Sequence, residues 1–175
     1  MRRTVAPDDV LQLVATARSL AFKFEQLDSY LVDVDDDVEV FERWLRGEAD
    51  PTEGLDDWLD LMRELTSSGR AVRRARVVTL PPTDYVRFEA AAVPASHAAG
   101  EEIHYMSRAD AAGLPEHDFW LLDDDRVLIM HFDDTGMPTA HDLTDNPAEV
   151  ARHQAWADLA WQRATPYDAF SHHFK

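Results

Sequence analysis

The stretch DFWLLDDDRVLIMHFDDTGMPTAHDL, residues 118–143, decides the fold. Three apolar runs, Asp118 to Leu122, Arg126 to Phe132 and about 137 to 143, are separated by Asp123-Asp124-Asp125 and by Asp133-Asp134-Thr135-Gly136. Each run has the length of a strand, and turns this tight join neighbours that run in opposite directions. The spacing predicts an antiparallel meander.

Toward the C-terminus, Asn146-Pro147-Ala148-Glu149 combines an N-cap, a proline at the first helical position and a glutamate at the third. Val150, His153, Ala157, Trp161 and Ala164 then recur at helical spacing, which predicts one long helix. The chain after Pro166 reads as irregular, with a flexible tail over about 169–175.

Toward the N-terminus, Glu101 to Tyr105 is a short strand candidate, and Ser107-Arg108-Ala109-Asp110 resembles a capping box. Asp84 is placed to cap a helix carrying Tyr85, Phe88 and Ala92, which Pro94 bends or ends. Residues 70–80 read as a β-branched strand in which Val72, Arg74, Arg76 and Val78 share a face. Phe22, Phe24 and Tyr30 punctuate an extended segment leading to an acidic turn at Asp33 to Asp37. Helical spacing marks about 7–20 (Val10, Leu13, Val14, Ala17, Leu20), a short segment with Phe41 and Trp44 closed by Gly47, and one with Leu55, Trp58, Leu59, Met62 and Leu65 closed near Gly69. The expectation is a single α+β domain over 1–175, ordered over about 7–168. It has an antiparallel or mixed β-sheet with a C-terminal β-meander, helices at the N-terminus and one long C-terminal helix, and the sheet is covered mainly on one face.

The 175 residues include 34 Asp and Glu against 17 Lys and Arg, a formal charge of −17, with eight His and no Cys. Without a thiol, disulfides, cysteine zinc sites and thiol nucleophiles are excluded. A field of this sign repels polyanions, so direct nucleic-acid binding is not expected. No apolar run approaches the roughly 18 residues of a membrane span, and the expected location is cytoplasmic.

The charge is unevenly placed. Residues 70–88 hold Arg70, Arg73, Arg74, Arg76 and Arg87 against Asp84 alone, between two acidic arms. Arginine forks pair readily with carboxylates, so these bases either form internal ion pairs or line an anion site on the face shared by Arg74 and Arg76. Glu25 and Glu101 are the candidate partners of Arg74 or Arg76, and Trp120 is a candidate apolar wall beside them. The acidic runs at 33–37 and 123–125 read as solvated turns, since neither has the alternating oxygen ligands and distal glutamate of a calcium loop. His104, His131 and His141 on or near strands are weak candidates for a metal site, without recognised ligand spacing; His172-His173 is a tail dipeptide. No phosphate loop, dinucleotide fingerprint or nucleophile elbow occurs, and no cofactor or catalytic residue is assigned.

Several blocks together are familiar: Phe24-Glu25 with Tyr30, Trp44-Leu45-Arg46-Gly47, Arg74-Ala75-Arg76-Val77-Val78 before Pro82, Ala98-Ala99-Gly100-Glu101, Asp118 to Asp123, His131-Phe132-Asp133-Asp134 and Asp145 to Val150. In this order, over about 20–170, they resemble the actinobacterial domain-of-unknown-function family 6879. The resemblance implies small cytoplasmic single-domain proteins of undetermined activity, often encoded beside helix-turn-helix regulators. The family commonly has an arginine where His104 stands, so position 104 is a poor anchor for a site.

Two functions follow as expectations. The first is a non-enzymatic, acidic regulatory or protein-interaction domain whose partner is basic, such as a helix-turn-helix transcriptional regulator; complementary charge would speed encounter and make binding salt-sensitive. The alternative is a small-molecule-binding sensor or enzyme whose pocket gathers Glu25, Arg74, Arg76 and Glu101. The second would fall if these side chains paired with no cavity beside them.

Overall fold

The computed structural model describes residues 1–30 and 35–175. One eight-stranded mixed sheet organises the chain, in the order β1-β7-β6-β5-β2-β3-β4-β8. Its centre is β2 (Leu20–Glu25), parallel to β3 (Ala71–Val78), which is parallel to β4 (Glu102–Ser107). The meander follows as expected: β5 (Phe119–Leu122), β6 (Arg126–Ile129) and β7 (His141–Thr144) are antiparallel neighbours, and β5 pairs antiparallel with β2. The edges are β1 (Arg2–Val5) on β7 and β8 (Thr165–Pro166) on β4.

Cross-strand partners share a face, so Ile103, Arg74, Lys23, Trp120, Leu128 and Leu143 form one continuous rung. Against this face pack α1 (Val10–Ala15), α3 (Asp56–Ser67) and α4 (Asp84–Ala98). The opposite face carries Phe22, Phe24, Phe119 and Leu121 and is covered by α5 (Pro147–Arg163). The sheet is therefore buried on both sides, not mainly on one. The apolar stripe of α5 and the N-terminal helices serve opposite faces, which neither pattern reveals by itself.

Local signals explain most boundaries. Asn146 Oδ1 accepts from the N–H groups of Ala148 and Glu149, which starts α5 as its sequence requires. The N-terminal helix is shorter than 7–20: a 3-10 turn at Pro7–Asp9 leads into α1, which ends at Ala15. The chain is diverted there because Asp123, at the β5–β6 turn, accepts the N–H groups of Arg18, Ser19 and Leu20 and aligns Leu20 for β2. These bonds, with burial opposing them, hold the Asp123 carboxyl down at about 2. Asp123 is thus a structural anchor, not a solvated turn residue. Residues 33 and 34 of the other acidic run lie outside the described residues, and α2 (Asp35–Leu45) opens at Asp35.

On α4 the cap is Thr83, whose Oγ1 accepts from the Val86 N–H, and not Asp84. Pro94 neither ends nor bounds this helix, which continues to Ala98. Ser107 does not cap the 3-10 turn Arg108–Asp110 through the backbone; its hydroxyl donates to Asp110 Oδ2 at 2.6 Å. The segment after Pro166 is helical instead of irregular: α6 (Tyr167–Phe170) and a 3-10 turn (Ser171–Phe174) bring Phe170 and Phe174 against Tyr105 at 5.7 and 5.0 Å. Buried aromatic area at the tail outweighs its lack of helical periodicity. No helix among the described residues is long and apolar enough to cross a membrane.

Candidate functional site

Beyond the Ile103–Leu143 rung, toward the C-terminal ends of β2 and β3, the next positions on the same face are polar. Glu25 pairs in register with Arg76, and Arg76 with Tyr105. Charges on a covered sheet face are costly unless matched, and here they are matched closely. Glu25 Oε2 accepts from Arg76 Nη1 at 2.8 Å and from Arg74 Nη1 at 3.4 Å, while Lys23 Nζ lies 2.5 Å from Oε1. Arg74 Nε donates to Glu101 Oε1 at 2.8 Å, and Trp58 Nε1 donates to Glu101 Oε2 at 3.2 Å. Arg76 Nη2 reaches Glu89 on α4. Three cations thus face three carboxylates.

Burial would raise the Glu25 carboxyl, but Arg74, Lys23 and Arg76 hold it well below the usual carboxylate range. Burial would likewise lower Arg76, and Glu89 and Glu25 reverse that and raise it. Glu89 is pushed up by burial, with Arg76 opposing. Aromatic faces complete the charge environment. Arg74 sits 5.2 Å over Trp58, Arg76 5.2 Å over Tyr30, and Lys23 5.4 Å over Trp120. Tyr30 in turn donates its hydroxyl to Asp118, whose carboxyl burial pushes up to about 6.

Beside this network lies a cavity of about 710 Å³. Lys23, Glu25, Arg74, Arg76 and Glu89 give it one charged wall, and His141 and Tyr30 adjoin it. The remaining walls are mainly apolar and aromatic, with Phe41, Tyr85 and Phe88 forming a cluster of rings 5.5–6.4 Å apart between α2 and α4. Trp58 and Met130 close other sides. The volume lies within the range of small-molecule sites, and a mostly apolar lining with a few convergent polar groups is their usual make-up.

Four of the five residues singled out from sequence, Glu25, Arg74, Arg76 and Glu101, come together in one network. Trp120 is on the same face but only 1% exposed, and it supports Lys23 from below instead of forming a wall. Glu101 likewise is buried behind Arg74. The three strand histidines do not converge. His104 stacks on Trp161 at 3.8 Å on the opposite sheet face, whereas the His131 N–H donates to His141 Nδ1 at 3.1 Å. Among the described residues no group of three His, Asp or Glu is arranged to hold a metal.

Lys23, Tyr30, Glu89 and Asp118 were not anticipated. Lys23 had a signal: Lys23 and Glu25 alternate with Phe22 and Phe24, which places both on the face of Arg74 and Arg76 once β2 lies beside β3. Glu89 had none, because its approach to Arg76 depends on how α4 crosses the sheet.

The fold is similar to that of a phospholipase D family member, Nuc from Salmonella typhimurium, at a TM-score of 0.59 and 12% identity, covering 95% of this chain and 99% of that one. It is also similar to NucT from Helicobacter pylori, at a TM-score of 0.57 and 7% identity, covering 95% and 98%. At these identities the likeness is one of fold alone. A comparison with curated proteins finds no match. A family model matches residues 8–172, nearly the whole span of the sheet and its helices, and the chain belongs to that family, the domain of unknown function DUF6879.

Proposed function

We propose that this domain binds a small, largely apolar molecule in the cavity beside the Glu25–Arg76 network. The observation that carries the reading is the division of the walls: a paired cluster of charge from β2, β3 and Glu89 of α4 on one side, and mainly aromatic and aliphatic surface elsewhere, with Asp8 and Glu53 the other charged residues among the lining. Paired charges orient a polar end of a ligand without needing to move, and the ring cluster of Phe41, Tyr85 and Phe88 supplies the apolar contact. N-phenyl-1-naphthylamine, which fluoresces when removed from water, is expected to bind the folded protein with 1:1 stoichiometry. Ala92, buried at the cavity wall, has room on that side; Ala92→Phe is expected to weaken the dye at least tenfold while leaving the unfolding midpoint within a few degrees. Dye binding unaffected by Ala92→Phe would reject the reading.

A second reading concerns the surface. Arg73, Arg74, Arg76 and Arg87 all have carboxylate partners inside the chain, which supports an outer surface dominated by the remaining acid. Such a surface suits a basic protein partner, with a helix-turn-helix transcriptional regulator as the candidate. Calorimetric titration against such a regulator is expected to show binding that weakens as salt rises from about 50 to 200 mM, where screening shortens the reach of charge; no binding at either salt would reject it.

A further inference from the structure

We propose that the ligand carries a neutral carbonyl-type oxygen on its apolar or aromatic body, and that the His141 Nε2–H is the donor that selects it. This rests on the cavity being a ligand site and names the chemistry that the site would read. His141 adjoins the cavity, is fully buried, and its Nε2 has no hydrogen-bond partner among the described residues. Its tautomer is fixed from the other side of the ring. The backbone N–H of His131 donates to Nδ1, so Nδ1 is a lone pair and the ring proton sits on Nε2. Burial, with His131 and Lys23 nearby, lowers the imidazole pKa and keeps the ring neutral.

The second unpartnered atom on these walls is also a donor: Arg76 Nε, in a side chain 1% exposed. The carboxylates of the network are already occupied by Lys23, Arg74 and Arg76. Both unpartnered buried atoms on these walls are N–H donors, so the ligand that would satisfy them brings an acceptor. That acceptor is neutral, because three cations already balance three carboxylates, and an added anion would compete with Glu25 for Arg76. A site built to donate a hydrogen bond discriminates strongly against an isostere lacking the acceptor.

The test pair is 6-propionyl-2-(dimethylamino)naphthalene and its isostere with a methylene in place of the ketone, 6-propyl-2-(dimethylamino)naphthalene, titrated calorimetrically. The unaltered protein is expected to bind the ketone about tenfold more tightly, the ratio that one well-made hydrogen bond supplies at 1.4 kcal/mol. His141→Phe, similar in size, should bring the two compounds to equal affinity, and His141→Gln, which can place an amide N–H near the position of Nε2, should restore the preference. In the unaltered protein, the ketone and not the isostere should shift the 15N resonance of His141 Nε2; this readout does not depend on any variant folding. Equal affinities in the unaltered protein, or an unshifted Nε2 on ketone binding, would overturn the donor role while N-phenyl-1-naphthylamine binding left the cavity reading intact. Failure of all three compounds to bind would overturn both.

Discussion

Replacing Arg76 with methionine is expected to lower the free energy of unfolding by about 3–5 kcal/mol, read as a lower urea midpoint at unchanged slope. Arg76 is 1% exposed and bridges two carboxylates, Glu25 on its own sheet and Glu89 on α4. Methionine fills most of the volume but leaves Glu89 with no cation in contact through this pair, and leaves Glu25 with Lys23 and the longer Arg74 contact. The loss is therefore mainly the cost of a stranded buried carboxylate, not of packing. Two comparisons separate these causes. The double variant Arg76→Met with Glu89→Gln should recover part of the loss, because it removes the stranded charge as well as its partner. Arg73→Met, three residues away on the other face, breaks the Glu102 pair, with side chains 38% and 51% exposed, and the contact of the guanidinium with the Trp161 ring at 5.1 Å, and should change stability by about 1 kcal/mol or less. Equal effects for Arg73→Met and Arg76→Met would show that the network is not energetically buried.

The contrast between Arg73 and Arg76 also marks how far the sequence reveals the site. The period of two places Arg74 and Arg76 on one face and Arg73 on the other, and this holds in β3. Lys23 and Glu25 obey the same rule in β2. What no local pattern contains is the parallel register that sets Glu25 opposite Arg76, nor the crossing of α4 that brings Glu89 to the same guanidinium. Register between strands more than 40 residues apart is decided by the whole core, in which Phe22, Phe24 and Ala75 pack under α5. His141 shows the opposite case: its chemistry was visible, but the metal reading required His104, which the alternation of β4 sends to the other face beside Trp161. No local pattern marks the helical turns of the tail, because Phe170 and Phe174 act through a distant tyrosine and not through a periodic stripe. The meander and α5, whose turns and caps are written in adjacent residues, were legible almost completely.

Gly100→Ala is the other change expected to have a large effect, and it links the helix packing to the charged network. Gly100 follows α4 at φ +97°, a conformation that disfavours any Cβ, and an added Cβ would lie 2.4 Å from Thr66 Oγ1 and 2.7 Å from Thr66 Cβ. Thr66 cannot turn aside freely, because its hydroxyl is held at 2.8 Å from the Met62 carbonyl and 2.9 Å from that of Ala99. The positive φ costs about 1–2 kcal/mol and forced overpacking about 1–3 kcal/mol, for a loss of about 2–5 kcal/mol. Gly69→Ala isolates the first contribution. Gly69 has φ +86° but nothing within 4 Å of an added Cβ, so only the conformational cost applies. Equal losses at the two positions would show that α3 yields and that the Thr66 contact carries no strain. Where α3 and the start of β4 are instead pushed apart, the first residue to move is Glu101, whose carboxylate receives both Arg74 and the Trp58 indole. The Trp58 Nε1–H resonance should then shift in Gly100→Ala and stay in place in Gly69→Ala. Affinity for N-phenyl-1-naphthylamine should fall only in the first, because Trp58 and Arg74 both line the cavity.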